Sequence, residues 1–324
     1  RQLELPSQER TPSGHIRCYT TENEALLKAK NPQRETTPEF ENWLAPLITQ
    51  IESDRAAGRN IQAVYNIPVV IHIIHNGDCL GTGENITDNQ AISQINVLNQ
   101  DYRRMAGTPG GANSTGLAAD IEINFILAKR DPFGNPTNGV NRVQTAIASY
   151  DNAAVETEKA NTIWDPTKYL NMWTFRFGGD LDGVLGYAQF PTGSTLTGIP
   201  AGTTTANTDG VVASYDAFGT IAENDGTFIL NATYNLGRTM THEVGHWLGL
   251  RHIWGDNTTC PSVNNNTTED YCADTPGALE ANFDCITLDS CPSTAGNDMI
   301  QNYMDYTNDA CMDTFTADQK TRMQ

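Results

Sequence analysis

Thr241-His242-Glu243-Val244-Gly245-His246-Trp247-Leu248-Gly249-Leu250-Arg251-His252 is the stretch on which the fold and chemistry of this chain turn. His242 and His246 are four apart, so on a helix both imidazoles leave one face about a turn apart and can share a single Zn²⁺. Glu243 lies beside the first ligand, within reach of a metal-bound water without being a ligand itself. Gly249 permits a positive-φ turn that ends the helix and folds the chain back, which brings His252 to the metal as a third nitrogen. Three protein ligands leave one coordination position open, and that separates a catalytic zinc from a structural one. Three of the six histidines in the chain fall in this stretch, which speaks against a surface helix with unconnected histidines.

The rest of the composition narrows the context. The chain has 324 residues with 20 Lys+Arg against 39 Asp+Glu, a formal charge of −19, which argues against a nucleic-acid or anionic-membrane surface. At 38% apolar residues it can bury a core. No stretch reaches the roughly 18 to 20 apolar residues that span a bilayer; the longest, Ile67 to Ile74, is interrupted by Pro68 and His72. Of seven cysteines, five crowd the last quarter, the usage of a locally stapled, exported chain. The sequence opens on Arg1 rather than Met, so an export signal is expected to have been removed already.

Residues 1 to about 60 read as a separable segment: a polar opening, an isolated Cys18, then Phe40, Trp43, Leu44, Leu47, Ile48 and Ile51 at helical spacing after a start at Thr37-Pro38-Glu39. Ser53 to Arg59 is expected to be a flexible polar joint open to a protease. From about residue 61 the pattern is mixed α/β. Ile67 to Ile74 reads as a buried strand, and Asn89 to Arg104 as a helix capped by Asp88 with Ile92, Ile95, Val97, Leu98 and Tyr102 on its inner face. Ile121 to Leu127 and Tyr169 to Phe177 read as further strands, so strand, helix, strand suggests a parallel crossover. Val184 to Phe190 is expected to be a short exposed strand, weakened by Gly186. Thr192 to Asp209 is a Gly/Thr-rich loop, and beyond residue 255 the chain is irregular, acidic and Cys-rich.

The pattern H-E-x-x-H-x-x-G-x-x-H is the metzincin zinc-binding consensus. Together with Asn302-Tyr303-Met304-Asp305-Tyr306, which looks like a Met-turn, with Ala273-Asp274-Thr275-Pro276, and with Cys285, Cys291 and Cys311, it resembles the pappalysin family over roughly residues 61 to 324. The resemblance implies an α/β metzincin fold: a twisted mixed sheet and the active-site helix in an upper subdomain (55–249), and an irregular lower subdomain (250–324) stabilised by disulfides and calcium. It implies peptide-bond hydrolysis, with Glu243 as general base and Tyr306 stabilising the transition state. Met304 and Gly249 become structural supports, and Leu185, Gly186 and Tyr187 belong to the edge that holds substrate as an added antiparallel strand.

The resemblance also gives Cys18 a role. A thiolate there would take the open zinc position, so residues 1–54 are expected to be an inhibitory propeptide and the chain a secreted zymogen; the opposing expectation is a half-cystine paired with Cys79. Small microbial members of the family cleave before Arg or, less readily, Lys, through an acid five residues past the Met-turn methionine. That residue is Asp309, and Asp54-Arg55 becomes the activation bond. The family implies the pairs Cys260–Cys291 and Cys285–Cys311, leaving Cys79 and Cys272 for a third bridge. Asp256, Glu269, Asp270, Asp274 and Thr275 supply hard oxygens suited to one or two Ca²⁺, although an insertion around Asn257 to Thr268 obscures individual ligands. The expected partners are protein and peptide substrates and the chain's own propeptide. The competing class is a calcium-dependent extracellular binding module whose zinc site is structural or vestigial.

Overall fold

The structure, a computed structural model, describes residues 9–59, 64–192, 206–256, 259–261 and 269–324. Its elements run α1 (Thr20–Lys30), α2 (Thr37–Ala56), β1 (Tyr65–His75), α3 (Asp88–Tyr102), β2 (Ile123–Leu127), β3 (Val140–Gln144), α4 (Asn152–Thr162), β4 (Leu170–Phe175), β5 (Gly186–Ala188), β6 (Val211–Ser214), α5 (Arg238–Trp247) and α6 (Ala317–Met323).

The strands form one sheet in the order β2-β1-β4-β6-β5, with β3 also pairing β1. β2 takes the first half of β1 (Tyr65 opposite Ile123) and β3 the second (Ile71 opposite Val140), both parallel, and β4 runs parallel along its other side. β6 is parallel to β4, and β5 alone is antiparallel. This is the mixed sheet expected. Because strand side chains alternate, Val69, Ile71 and Ile73 face α3 and α5 through Ile95, Leu98, Met240 and Val244. Ile74, Trp173, Phe175 and Val212 face Val155 of α4 on the other side.

Four expectations about local structure need correction. The β5 edge is not exposed: Gly186, Tyr187 and Ala188 are buried, because residues 16–20 lie along it. Ile16 N–H donates to Gly183 O at 2.8 Å, Leu185 N–H to Ile16 O at 2.9 Å and Tyr19 N–H to Gly186 O at 3.0 Å. The polar joint from Ser53 is helical: α2 runs to Ala56 and closes with Gly58 at φ +65°, Arg59 N–H reaching back to Asp54 O at 2.8 Å. That is a Schellman closure, and polar residues at the end of a good helix former satisfy it without making a joint. The cap of α3 is Thr87, which accepts from Gln90 N–H, while Asp88 pairs with Arg142; Ile92 of that helix faces outward. The third bridge does not form: Cys79 sits on an exposed turn and Cys272 is buried, and both are free thiols. Most of the Gly/Thr-rich loop, residues 193–205, and most of the insertion around 257–268 lie outside the described residues.

Candidate active site

The zinc-binding helix is seated by glycine and methionine. A Cβ on Gly245 would meet the Met304 sulfur at 2.5 Å, so the turn carrying Met304 presses directly on α5. Gly249 has φ +95° with ordinary space around it, so conformation and not room is what it provides. Past that turn, His252 comes back to the face of His242 and His246.

The three imidazoles are oriented from behind. His242 Nδ1–H donates to the Tyr303 carbonyl at 2.7 Å, and His246 Nδ1–H donates to the Leu250 carbonyl at 2.8 Å. His252 Nδ1 lies 2.6 Å from Asp256 Oδ1. With Nδ1 committed as the donor, each Nε2 presents a lone pair. These converge: His246 Nε2 is 3.0 Å from both His242 Nε2 and His252 Nε2. Lone pairs meeting at that distance in a buried site call for a cation. Burial, then the neighbouring rings, holds His242 and His246 well below the usual imidazole range, so they stay neutral as ligands must. Cys18 joins them; its sulfur and the three ring nitrogens lie within 4.8 Å of one another. Three imidazoles and a thiol form a donor set that fits Zn²⁺.

Glu243 sits beside this cluster, fully buried. Its Oε2 accepts from Thr20 Oγ at 2.9 Å and from the Cys18 thiol at 3.4 Å. Burial pushes its carboxyl up to about 8, against the pull of those donors. Burial and then Glu243 push the Cys18 thiol well up; a bound cation would act in the opposite sense. Tyr306 packs its ring 4.8 Å from His252 and 5.7 Å from His242, and burial holds its hydroxyl protonated. Gly186 is needed for fit as well as backbone pairing, since a Cβ there would meet Glu243 Cγ at 3.2 Å and Val212 O at 2.9 Å. The Tyr187 side chain turns the other way, donating to Glu156 at 2.8 Å.

Asp309 is buried at the start of a short turn just past Tyr306. Its Oδ2 accepts from the amides of Leu236 (2.9 Å) and Arg238 (3.3 Å), which leaves Oδ1 for the Arg17 guanidinium at 3.0 Å. Arg17 also donates to Thr239 Oγ at 2.5 Å and covers the Tyr234 ring at 4.9 Å. Sequence reasoning missed Arg17, though the signal was in view: an arginine adjoins the isolated cysteine. It also missed Thr20 and Gly245, for which the motif offers no cue.

The calcium candidates do not gather. Asp256 is taken by His252, Asp270 accepts from Thr275 Oγ (2.7 Å) and the Cys272 amide (3.0 Å), and Asp274 accepts from the Asp318 amide (3.0 Å). Among the described residues the zinc cluster is the only such convergence of ligand groups. Cys260 is bonded to Cys291 and Cys285 to Cys311.

A histidine triad with the carboxylate of its own helix alongside, on a helix braced by a methionine turn, defines a metallopeptidase of the metzincin class. The profile of the Peptidase_M43 family, pregnancy-associated plasma protein-A, matches residues 153–324. An extracellular metalloprotease of Sordaria macrospora is 33% identical across 83% of this chain and 76% of its own length. Mature mirolysin of Tannerella forsythia, in complex with a cleaved peptide, is 40% identical over 81% of this chain and 90% of its own, with a TM-score of 0.66. A promirolysin mutant from the same organism is 36% identical over 94% and 92%, with a TM-score of 0.68. The chain therefore belongs to the pappalysin family and is a metalloprotease.

Proposed function

We propose that this chain is the latent form of a secreted zinc endopeptidase that cleaves before arginine or lysine, with residues 1–54 as propeptide and 55–324 as catalytic domain. The observation that carries the reading is the dipeptide Arg17-Cys18, which fills two sites at once: the guanidinium pairs with Asp309 at 3.0 Å while the thiol joins the three histidines. An inhibitory segment that carries an arginine into the acidic pocket is the counterpart of a substrate that carries one. Support for latency comes also from promirolysin, which aligns over more of this chain than the mature enzyme does. The extracellular relatives support secretion.

In this reading His242, His246 and His252 hold the zinc. When bound, the ion acidifies a water and polarises the scissile carbonyl. Glu243, freed of Thr20 and Cys18, accepts a proton at Oε2 and returns it to the leaving amine. Tyr306 keeps its proton and donates a hydrogen bond to developing negative charge. The Leu185 amide and Gly186 carbonyl, now used by residues 16–19, hold the substrate backbone. Ile16 pairs parallel with Val184, opposite in direction to the antiparallel substrate, so the segment's own bonds have the wrong polarity for cleavage.

Incubation with Zn²⁺ and Ca²⁺ followed by N-terminal sequencing tests the reading. A new terminus at Arg55, then cleavage of peptides before Arg, is expected, with Glu243→Ala inert. A chain that keeps its first residues, or that cleaves without regard to Arg, refutes it.

A further inference from the structure

The turn after the zinc helix carries a second buried charge centre. Glu41 of α2 lies across it with both oxygens engaged. Oε1 accepts from Arg251 Nε at 3.2 Å and Arg322 Nη2 at 2.9 Å, and Oε2 accepts from Arg322 Nη1 at 2.8 Å. The two arginines are held independently of that carboxylate. Arg322 donates to the Gly249 carbonyl at 3.1 Å and covers the Tyr271 ring at 5.4 Å, while Arg251 covers Phe190 at 5.3 Å. Phe190 meets His246 edge-on at 5.2 Å, so the pair stands one ring away from the zinc ligands. A cleft lined by Arg34, Phe40, Phe190, Gly249 and Arg251 runs alongside.

Removal of residues 1–54 takes Glu41 away. Among the described residues it is the carboxylate in ion-pair contact with both Arg251 and Arg322. The two guanidinium groups then lose the ion-pair partner they share, while Arg322 keeps its hold on the Gly249 carbonyl, and their forks match a carboxylate. Their position relative to the scissile bond follows from strand direction. Arg17, next to the residue paired with Val184, marks the Asp309 end of β5. A substrate antiparallel to β5 with its arginine at that end has its upstream residues running past Ala188 toward Phe190 and Arg251. The expected activation bond has the matching sequence, with Glu52 and Asp54 directly upstream of Arg55.

We propose that Arg251 and Arg322 form a subsite of the mature enzyme for an acidic side chain upstream of the scissile bond, and that Glu41 holds its place in the latent chain. This rests on the reading that the segment is removed and that cleavage falls before arginine. The test uses the activated protein and alanine-rich peptides with one Arg, carrying Glu, Gln or Lys at each of the four positions upstream of the cut. At one position Glu is expected to raise kcat/KM about tenfold over Gln, the worth of a charge-assisted fork, and Lys to lower it. Arg251→Gln and Arg322→Gln should each bring the Glu-to-Gln ratio toward one. Comparison of peptides on the unmodified enzyme decides the matter even if a variant fails to fold. Equal rates for Glu, Gln and Lys at every position overturn the subsite alone, as does a Glu preference undiminished in both variants. A protein that keeps its segment, or cuts at bonds not followed by Arg, overturns the activation reading and the subsite with it.

Discussion

The sheet half of the molecule and the half beyond Leu250 keep their shape by different means. In the first, six strands bury side chains such as Val69, Ile71 and Ile73 completely between layers of helices. In the second, α6 is the one α-helix among the described residues. Its framework is two disulfides spanning 31 and 26 residues and a set of buried acids, among them Asp298 and Asp305, tied to backbone and amide groups. An apolar core is indifferent to reductants, and protons act on it only through the few polar groups built into it, such as His72. A covalent and polar framework is vulnerable to both and can hold carboxylates at defined points. The zinc site lies on the seam, taking Glu243 from the first half and Tyr306 and Asp309 from the second.

The largest expected effect separates chemistry from selectivity. After the segment is removed by an added protease, Glu243→Gln should lower kcat/KM by about a thousandfold on every peptide. Kinetics on Arg and Ala peptides would break the division if the loss depended on sequence. Next, replacing Cys285 and Cys311 by Ser should cost about 3 kcal/mol, from the entropy of a loop of 26 residues. Hydrogen exchange should rise among residues 280–315 while the β1 amides stay protected, and equal rises in both halves would mean a single cooperative unit. Asp309→Asn comes third. It should lower turnover of Arg peptides by roughly a hundredfold, since the guanidinium loses its counter-charge in a buried pocket, with Ala peptides little affected.

The smallest effect concerns pH, and the halves should respond with opposite signs. His72, buried between Asn171 and Asn141 and stacked on Trp173, is held down to about 4 by burial. Its folded value lies below the unfolded one, so the unfolded chain binds the extra proton between them. Stability is therefore full above about 6.5 and falls as pH drops; from 6.5 to 5 the cost is about 2 kcal/mol. Asp305 is raised by burial to about 7, so the folded state binds more protons and local stability falls as pH rises from about 4 toward 7. Local hydrogen exchange at pH 5 and 7 checks the contrast, which fails if β1 and residues 300–306 shift in the same direction.

What could be read beforehand divides along physical lines. His242, Glu243, His246, Gly249 and His252 were legible because their geometry is local: a helical period and one positive-φ turn. Met304, Tyr306 and the two disulfide pairs came through resemblance, since nothing in the spacing brings them to the helix. β3 hid behind Asn141 and Arg142, and β6, four residues long, just past a Gly/Thr-rich run, because both owe their state to strands already laid down. The cover over β5 was invisible for the same reason: burial of Gly186 to Ala188 depends on residues far away in sequence. The Ser53 to Arg59 joint failed because composition describes polarity, whereas Gly58 closes a helix.

That closure turns α2 into a clock. Asp54 and Arg55 sit in its last turn, and Arg55 is anchored to Thr321 and Gln324 at 2.5 and 2.6 Å. A bond in a helix cannot be drawn out as a strand across a catalytic cleft, so if Asp54-Arg55 is the activation bond, as proposed, the waiting time before cleavage is set by how often this turn frays. Gly58→Ala, forced into a left-handed conformation at a cost of about 1 kcal/mol, would shorten that wait by roughly fivefold without touching the active site.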